Sequence, residues 1–308
     1  MLSAQGFSKT RTLPKGSVLV TCIGSTIGKT GMATKEMSTN QQINSIVVND
    51  NNDNEFVYYA IQSAFPRYLS SIAVQAVPII SKSAFELLPN NRPYLQEQKK
   101  IGKFLSLLDE RIATQNKIIE DLKKLKSAIS ENLFKEVKGD VVMLSEICEI
   151  SKGKQINGEF LSEKGKYYVM NGGTEPSGYY NNYNVEASTI SISEGGNSCG
   201  YVQFNTSPFW SGGHCYTIQE IADNVDNLYL YHFLKSKEDA IMKLRIGSGL
   251  PNIQKKDLAM FKIKIPTVEQ QKAISTFLSS LERKAEIEER IQNAMQKEKQ
   301  YLLRQMFI

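Results

Sequence analysis

From Ile101 onward apolar side chains recur at alternating steps of four and three: Ile101, Leu105, Leu108, Ile112, Ile119, Leu122, Ile129 and Leu133. Gln115 and Lys126 are the polar interruptions. This is the pattern of a coiled-coil seam. The rhythm returns at Ile274, Leu278, Leu281, Ala285, Glu288, Gln292, Met295, Lys299, Leu302 and Met306. Its middle is polar, and the neighbouring stripe Ile287, Ile291 and Ala294 is expected to share the contact. Pro93 and Pro266 stand just before the two runs, where a helix start tolerates proline. About 40 residues at ~1.5 Å each give a helix of roughly 60 Å. Two such seams more naturally pair with each other, antiparallel, than pack separately on two globular domains. Elsewhere the pattern is shorter. Val18–Cys22, Ile43–Val48, Thr189–Ser193 and Cys215–Ile218 read as strands, and Val57–Ser63 and Leu228–Lys235 as short helices.

The two long runs belong to a repeat. Pro93–Phe134 matches Pro266–Phe307 without gaps, 173 positions apart, with Gln98 on Gln271, Phe104 on Phe277 and Leu108 on Leu281. The match extends upstream, with Pro78 on Pro251, Ile80 on Ile253 and Tyr59 on Tyr231, and then Gly24 on Gly195. The second copy has a segment with no counterpart in the first, from about Lys138 to Gly172. The expected architecture is mixed α/β: a shortened first globular domain (1–92), a first spacer helix (93–137), a second globular domain (138–265) and a second spacer helix (266–308).

Composition narrows the class. A 308-residue chain with 41% hydrophobic and 22% charged residues has room for two folded domains. No apolar run approaches a bilayer span, and no signal peptide is visible, so a cytoplasmic protein with no membrane association is expected. Cys22, Cys148, Cys199 and Cys215 lack metal-ligand spacing and fit a reducing compartment. The net charge of +5 is compatible with a polyanionic partner.

Candidate chemistry is sparse. CIGSTIGKT (22–30) resembles a phosphate loop, but the first-glycine position holds Ile23, and only three residues separate Gly24 from Gly28. The glycine-turn counterpart in the second copy, ISEGGNSCG (192–200), has no Gly-Lys-Thr. A strand leaving into a glycine turn is the better reading. His214 and His232 lack metal-ligand partners and read as packing residues. Asp109, Glu110 and Glu282 read as a solvated helix face. No nucleophile–base motif, metal site or cofactor site is expected.

The duplicated order of features is specific. LSEICEISKGKQI (144–156) and SGLPNIQKKDLAMFKIKIPTVEQQKAISTFLSSLE (248–282), the latter echoed at 77–108, resemble the DNA-specificity subunit of type I restriction–modification systems. The resemblance covers nearly the whole chain and departs from the family where the first recognition domain lacks its opening segment. It implies two target recognition domains, each reading half of a split double-stranded DNA site. Two spacer helices would set the gap, at somewhat under two DNA turns of ~34 Å. It implies no catalysis by this chain, which would carry methyltransferase subunits and, through them, restriction subunits. Lys29, Lys152, Lys154, Lys243 and Arg245 are candidates for phosphate contact. Asn157, Tyr179, Tyr180, Asn181, Asn182 and Ser248 complete the DNA-binding set, Asn and Arg being able to read base edges. Each taken singly also reads as a solvated surface group. The shortened first domain leaves an alternative: a protein-binding adaptor that reads no DNA, or a half-subunit that must self-associate to do so.

Overall fold

The computed structural model describes Phe7, residues 10–70, 79–247, Gly249 and 251–307. It divides into two compact units, Met1–Ile119 with Glu288–Ile308 (unit 1) and Glu120–Ile287 (unit 2). Each unit therefore holds one copy's sheet together with part of both long helices.

In unit 1, β1 (Val18–Thr21) lies between β2 (Thr30–Met32) and β3 (Ile43–Ile46) in an antiparallel sheet. Val18 and Val20 alternate inward, the period-two signature of a half-buried strand. They meet Ile61, Ala64, Phe65 and Tyr68 of α1 (Asn54–Ser70). The Asp53 carboxylate accepts from the Phe56 amide at 2.9 Å and so starts α1. A short α2 (Lys82–Glu86) follows, and then α3 (Leu95–Glu136).

Unit 2 opens with β4 (Asp140–Met143), the single-turn α4 (Leu144–Ile147) and β5 (Glu149–Lys152). Next come β6 (Tyr167–Met170), β7 (Gly178–Tyr180), β8 (Thr189–Ser193), β9 (Val202–Asn205), β10 (Trp210–Ser211) and β11 (Cys215–Gln219). The unit closes with α5 (Asn227–Ser236), α6 (Glu238–Met242), α7 (Lys255–Ala259), β12 (Lys262–Ile265) and the first part of α8 (Val268–Met306). The main sheet is antiparallel, ordered β5-β11-β8-β9. A second sheet, β10-β6-β7, carries the aromatic-rich stretch, and β12 pairs with β4. Leu144, Ile147, Ile150, Ile190, Ile192, Ile218, Tyr229, Phe233 and Leu258 share one buried core. Each such side chain contributes about 1.5–3 kcal/mol.

The repeat is visible in geometry. The series β1, β2, β3, α1, α2 corresponds to β8, β9, β11, α5, α7. The turn after β1 corrects the register by one residue. Gly24 and Gly28, both at φ 88°, correspond to Gly196 (φ 76°) and Gly200 (φ 92°), not to Gly195. The hydrogen bonds agree: Ile27 N to Gly24 O (3.1 Å) mirrors Cys199 N to Gly196 O (3.1 Å), and Gly28 N to Thr21 O mirrors Gly200 N to Ser193 O, both 2.8 Å. This turn leads into a strand. A phosphate loop leads into a helix whose N-terminus holds the anion, so the nucleotide reading of Gly24–Thr30 fails.

The seam forms antiparallel pairs within each unit. Every seam position of α3 from Ile101 to Leu133 is buried or half-buried. Along α8 the same holds from Ile274 to Leu302. The stripe Ile287, Ile291 and Ala294 is exposed, contrary to expectation. Polar seam residues find polar partners instead, so no apolar stripe is needed. In unit 1 Gln115 donates to the Glu288 carboxylate at 2.6 Å, Gln292 donates to Asn116, and Lys299 pairs with Asp109 at 2.5 Å. In unit 2 Lys126 pairs with Glu282 at 2.6 Å. Asp109 and Glu282 are therefore not a solvated face, because each is held by a lysine across the helix pair. The phenylalanine ending each helix is an anchor. Phe134 is buried in unit 2 against Tyr229 and Phe233, with centroids 5.6 and 5.3 Å away, and Phe307 lies 5.3 Å from Phe56 in unit 1.

Candidate nucleic-acid interface

The candidate residues of unit 2 sit on strand ends and turns of its two sheets. Lys152 ends β5, and its exposed ammonium reaches the Glu194 carboxylate at 2.6 Å. Two residues on, the Lys154 carbonyl accepts from the Trp210 indole at 2.9 Å, and Lys154 is exposed. Asn157 starts a 3-10 turn (Gly158–Phe160) and is exposed. That turn returns the chain to Ser162, whose amide donates to Tyr179 O at 3.0 Å, with a reciprocal bond of 2.9 Å. Tyr180 meets Trp210 edge-to-face at 5.3 Å. Lys152–Asn157, Tyr179–Asn182 and Trp210 thus form one neighbourhood, with Tyr179, Asn181 and Asn182 exposed.

Lys243 and Arg245, both exposed, lead into a turn closed by the Ile246–Asn252 bridge. Asn252 also bridges to Gly195, beside Glu194. Glu194 therefore lies where the two groups approach. Ser248 lies outside the described residues. Lys29 belongs to unit 1 and is exposed at the end of the glycine turn.

Sequence reasoning missed three residues here. Glu194 is 7% exposed, and the Tyr216 hydroxyl lies 3.1 Å from its Oε1. Burial, and then that carboxylate, push the Tyr216 phenol up to about 12. His214 sits with Nδ1 3.8 Å from Glu194 Oε2 and is largely exposed, so it is not a packing histidine. His232 is one: it is buried, with Nε2 2.9 Å from Ser279 Oγ, and burial lowers its pKa to about 4. Trp210 was legible only as the single tryptophan of the chain.

The surface offers ammonium and guanidinium groups for phosphates, amides for base edges, and tyrosine faces for stacking or van der Waals contact. Among the described residues no group of three His, Cys, Asp or Glu side chains could hold a metal, and no helix is long and apolar enough to cross a membrane.

Comparison with known proteins now bears on this arrangement. The family described as "Type I restriction modification DNA specificity domain" matches residues 1–124 and 136–297. The chain belongs to that family. A Mycoplasma pneumoniae protein named as a type I specificity subunit, S.MpnORF638P, is 33% identical over 158 residues, 51% of this chain and 40% of that protein. The MjaVIII specificity subunit of Methanocaldococcus jannaschii is 26% identical over 317 residues, 90% of this chain and 73% of that protein. The matched part is thus under half of the first relative's length and about three quarters of the second's. The crystal structure of a type I restriction–modification S subunit from M. genitalium has the same fold, with TM-score 0.73 at 22% identity, covering 98% of this chain and 85% of that one.

Proposed function

We propose that the chain is a DNA-reading subunit of a type I restriction–modification assembly, with no catalytic step of its own. It recognises double-stranded DNA and scaffolds methyltransferase subunits, and restriction subunits through them, in the cytoplasm. Residues 138–265 act as one recognition domain and residues 1–92 belong to another, with 93–137 and 266–308 as spacer helices. The observation carrying this reading is the neighbourhood of Lys152, Lys154, Asn157, Tyr179 and Trp210 at the strand ends of unit 2. It sets positive charge, amides and aromatic faces side by side in a member of a DNA-specificity family.

The test is a gel-shift assay of the chain with its methyltransferase subunit against a randomised duplex pool. Binding is expected to be sequence-selective and to weaken steeply with salt. Binding that is neither overturns the proposal. Mapping methylated sites genome-wide then separates its forms: a split motif shows two working readers, and a palindrome shows paired copies using unit 2 alone. Co-purification without any methylated site would favour the adaptor reading.

A further inference from the structure

Glu194, just past the end of β8, is an ionisable group that the repeated fold does not need. Its counterpart is Cys22. Glu194 N donates to His214 O as Cys22 N donates to Gln42 O, both at 2.9 Å, and each carbonyl accepts from the matching isoleucine, Ile253 N at 2.8 Å and Ile80 N at 2.9 Å. His214 therefore corresponds to Gln42. Tyr216, opposite Ile192, corresponds to Asn44, opposite Val20. One copy builds this strand end from a thiol and two amides, the other from a carboxylate, an imidazole and a phenol. The carboxylate is 7% exposed and only half satisfied. Its Oε1 accepts from Lys152 Nζ at 2.6 Å and from the Tyr216 hydroxyl at 3.1 Å. Its Oε2 is buried with no hydrogen-bond partner among the described residues, a state that calls for a donor. His214 Nδ1 stands 3.8 Å from that oxygen. The histidine backbone is held, since its amide donates to Asn171 Oδ1 at 3.2 Å, while its ring is exposed. Lys152–Lys154 lies alongside, with Gly153 N donating to Cys215 O at 2.9 Å.

We infer that His214, as the imidazolium, binds a phosphate of the DNA backbone and that Glu194 positions it. Nδ1–H turns to the lone Oε2, and Nε2–H then points outward to the phosphate as a charge-assisted donor. The inference rests on the DNA reading proposed above and adds to it a contact that takes up a proton on binding. The charges facing the ring act in both directions. Glu194 and the phosphate favour the imidazolium. Lys152 opposes it, as does Arg245, which is near enough to work against the rise that burial gives the Cys199 thiol. Burial, and for Tyr216 then Glu194, pushes the Cys215 and Tyr216 groups up to about 11 and 12, so both keep their protons near neutrality. The phosphate raises the proton affinity of the imidazole in the complex. Tight binding is therefore fully present below the histidine's midpoint in the free chain and is lost as pH rises through its midpoint in the complex.

The probe is a fluorescein-labelled duplex pool of random sequence, because a phosphate contact carries no sequence information. It is titrated by anisotropy, at fixed salt, into the full chain with its methyltransferase subunit. Between about pH 6 and about pH 8.5 the affinity should fall by about tenfold, the effect of a one-unit rise in the histidine's midpoint on binding. His214→Gln should bind with the weak affinity at both ends of that range. The ring is exposed, so this variant leaves the core untouched. A second arm needs no DNA. The chain has two histidines, so imidazole carbon signals of the full chain, assigned with His214→Gln, give the His214 midpoint directly. Glu194→Gln keeps the shape and removes the counter-charge, and should lower that midpoint with circular dichroism unchanged. Wild-type binding that is insensitive to salt, or no binding, overturns the DNA reading and this inference with it. Salt-sensitive binding that is flat with pH, or a pH dependence that survives His214→Gln, overturns this inference alone. A His214 midpoint indifferent to Glu194→Gln overturns the positioning role of Glu194.

Discussion

Lys299→Met tests the polar centre of the unit 1 seam. Asp109 takes a hydrogen bond from the Tyr59 hydroxyl at 2.7 Å and one from Lys299 at 2.5 Å. The lysine and aspartate side chains are 15% and 35% exposed. Methionine keeps the apolar stem and removes the charge, leaving the carboxylate with Tyr59 alone. A fully buried orphaned ion would cost about 3–5 kcal/mol, and an exposed pair about 0–1. Partial burial of Asp109 sets the expectation at about 2 kcal/mol. For a domain of this size that lowers Tm by about 4–8 °C. Lys126→Met in unit 2 should act alike, since Lys126, Glu282 and Tyr231 form the corresponding set, with the tyrosine hydroxyl 3.1 Å from the carboxylate. Pairing Lys299→Met with Asp109→Asn should recover about 1 kcal/mol, because the orphaned charge goes with its partner. Calorimetry or thermal circular dichroism reads all three. A Lys299→Met loss below about 0.5 kcal/mol, the size of an ordinary surface change, refutes the argument.

Other outcomes follow from the same geometry. His232 has a folded pKa of about 4, below its ordinary value, so the unfolded chain binds the proton first. Stability should therefore hold above about pH 6.5 and fall between there and pH 4 by about 3 kcal/mol, a fall that His232→Gln abolishes in urea titrations. Gly28→Ala should cost about 2 kcal/mol or more, combining left-handed strain with a Cβ only 2.6 Å from the Phe65 ring. Gly24→Ala, with open space and the same φ, should cost only the strain, about 1–2 kcal/mol by denaturant midpoint. Gln271→Met should cost about 2 kcal/mol, since it removes the partner of the half-buried Asp226 amide and of the Pro266 and Asn224 carbonyls, now bonded at 2.8, 2.9 and 3.0 Å. Lys154→Ala should weaken DNA binding equally across sequences and reduce the salt slope by about one, whereas Asn157→Ala should relax sequence choice.

The seam and the repeat were legible because each rests on a pattern over many residues, and β1, β3, β8 and β11 because their β-branched runs are bounded by Gly, Asn and Ser. The seam's partners were not, since periodicity marks which face of α8 is covered but not that Glu288, Gln292 and Lys299 answer Gln115, Asn116 and Asp109. The sheet β10-β6-β7 was also hidden. Its segments are rich in tyrosine and glycine and read as turns. Aromatic pairs such as Tyr168 stacked on Phe209, 5.5 Å apart, accompany its strands in place of an alternating β-branched pattern. Glu194 was invisible for a different reason. A lone carboxylate carries no pattern, and its burial beside Lys152 and Tyr216 depends on strand ends distant in sequence.

What the two units share and where they differ separates two jobs within the fold. Gln98 is buried where α3 begins. Its amide donates to Pro93 O at 2.9 Å, and its oxygen accepts from the Asp53 amide at 3.0 Å. Gln271 makes the same bonds to Pro266 and Asp226. Asp53 and Asp226 in turn start α1 and α5 through side-chain bonds of 2.9 and 2.7 Å. One glutamine thus ties the start of each long helix to the start of the domain helix beside it, and the tyrosine–carboxylate–lysine set repeats the tie further along. These junctions leave few free torsions between helix and domain, because each buried amide would lose its partners if the angle changed. The sheet edge and the loops carry no such constraint: the junction of unit 1 is intact although no strand among its described residues pairs with the outer edge of β3. A fold built this way fixes how each sheet is mounted on its helix while letting the residues at the strand ends vary.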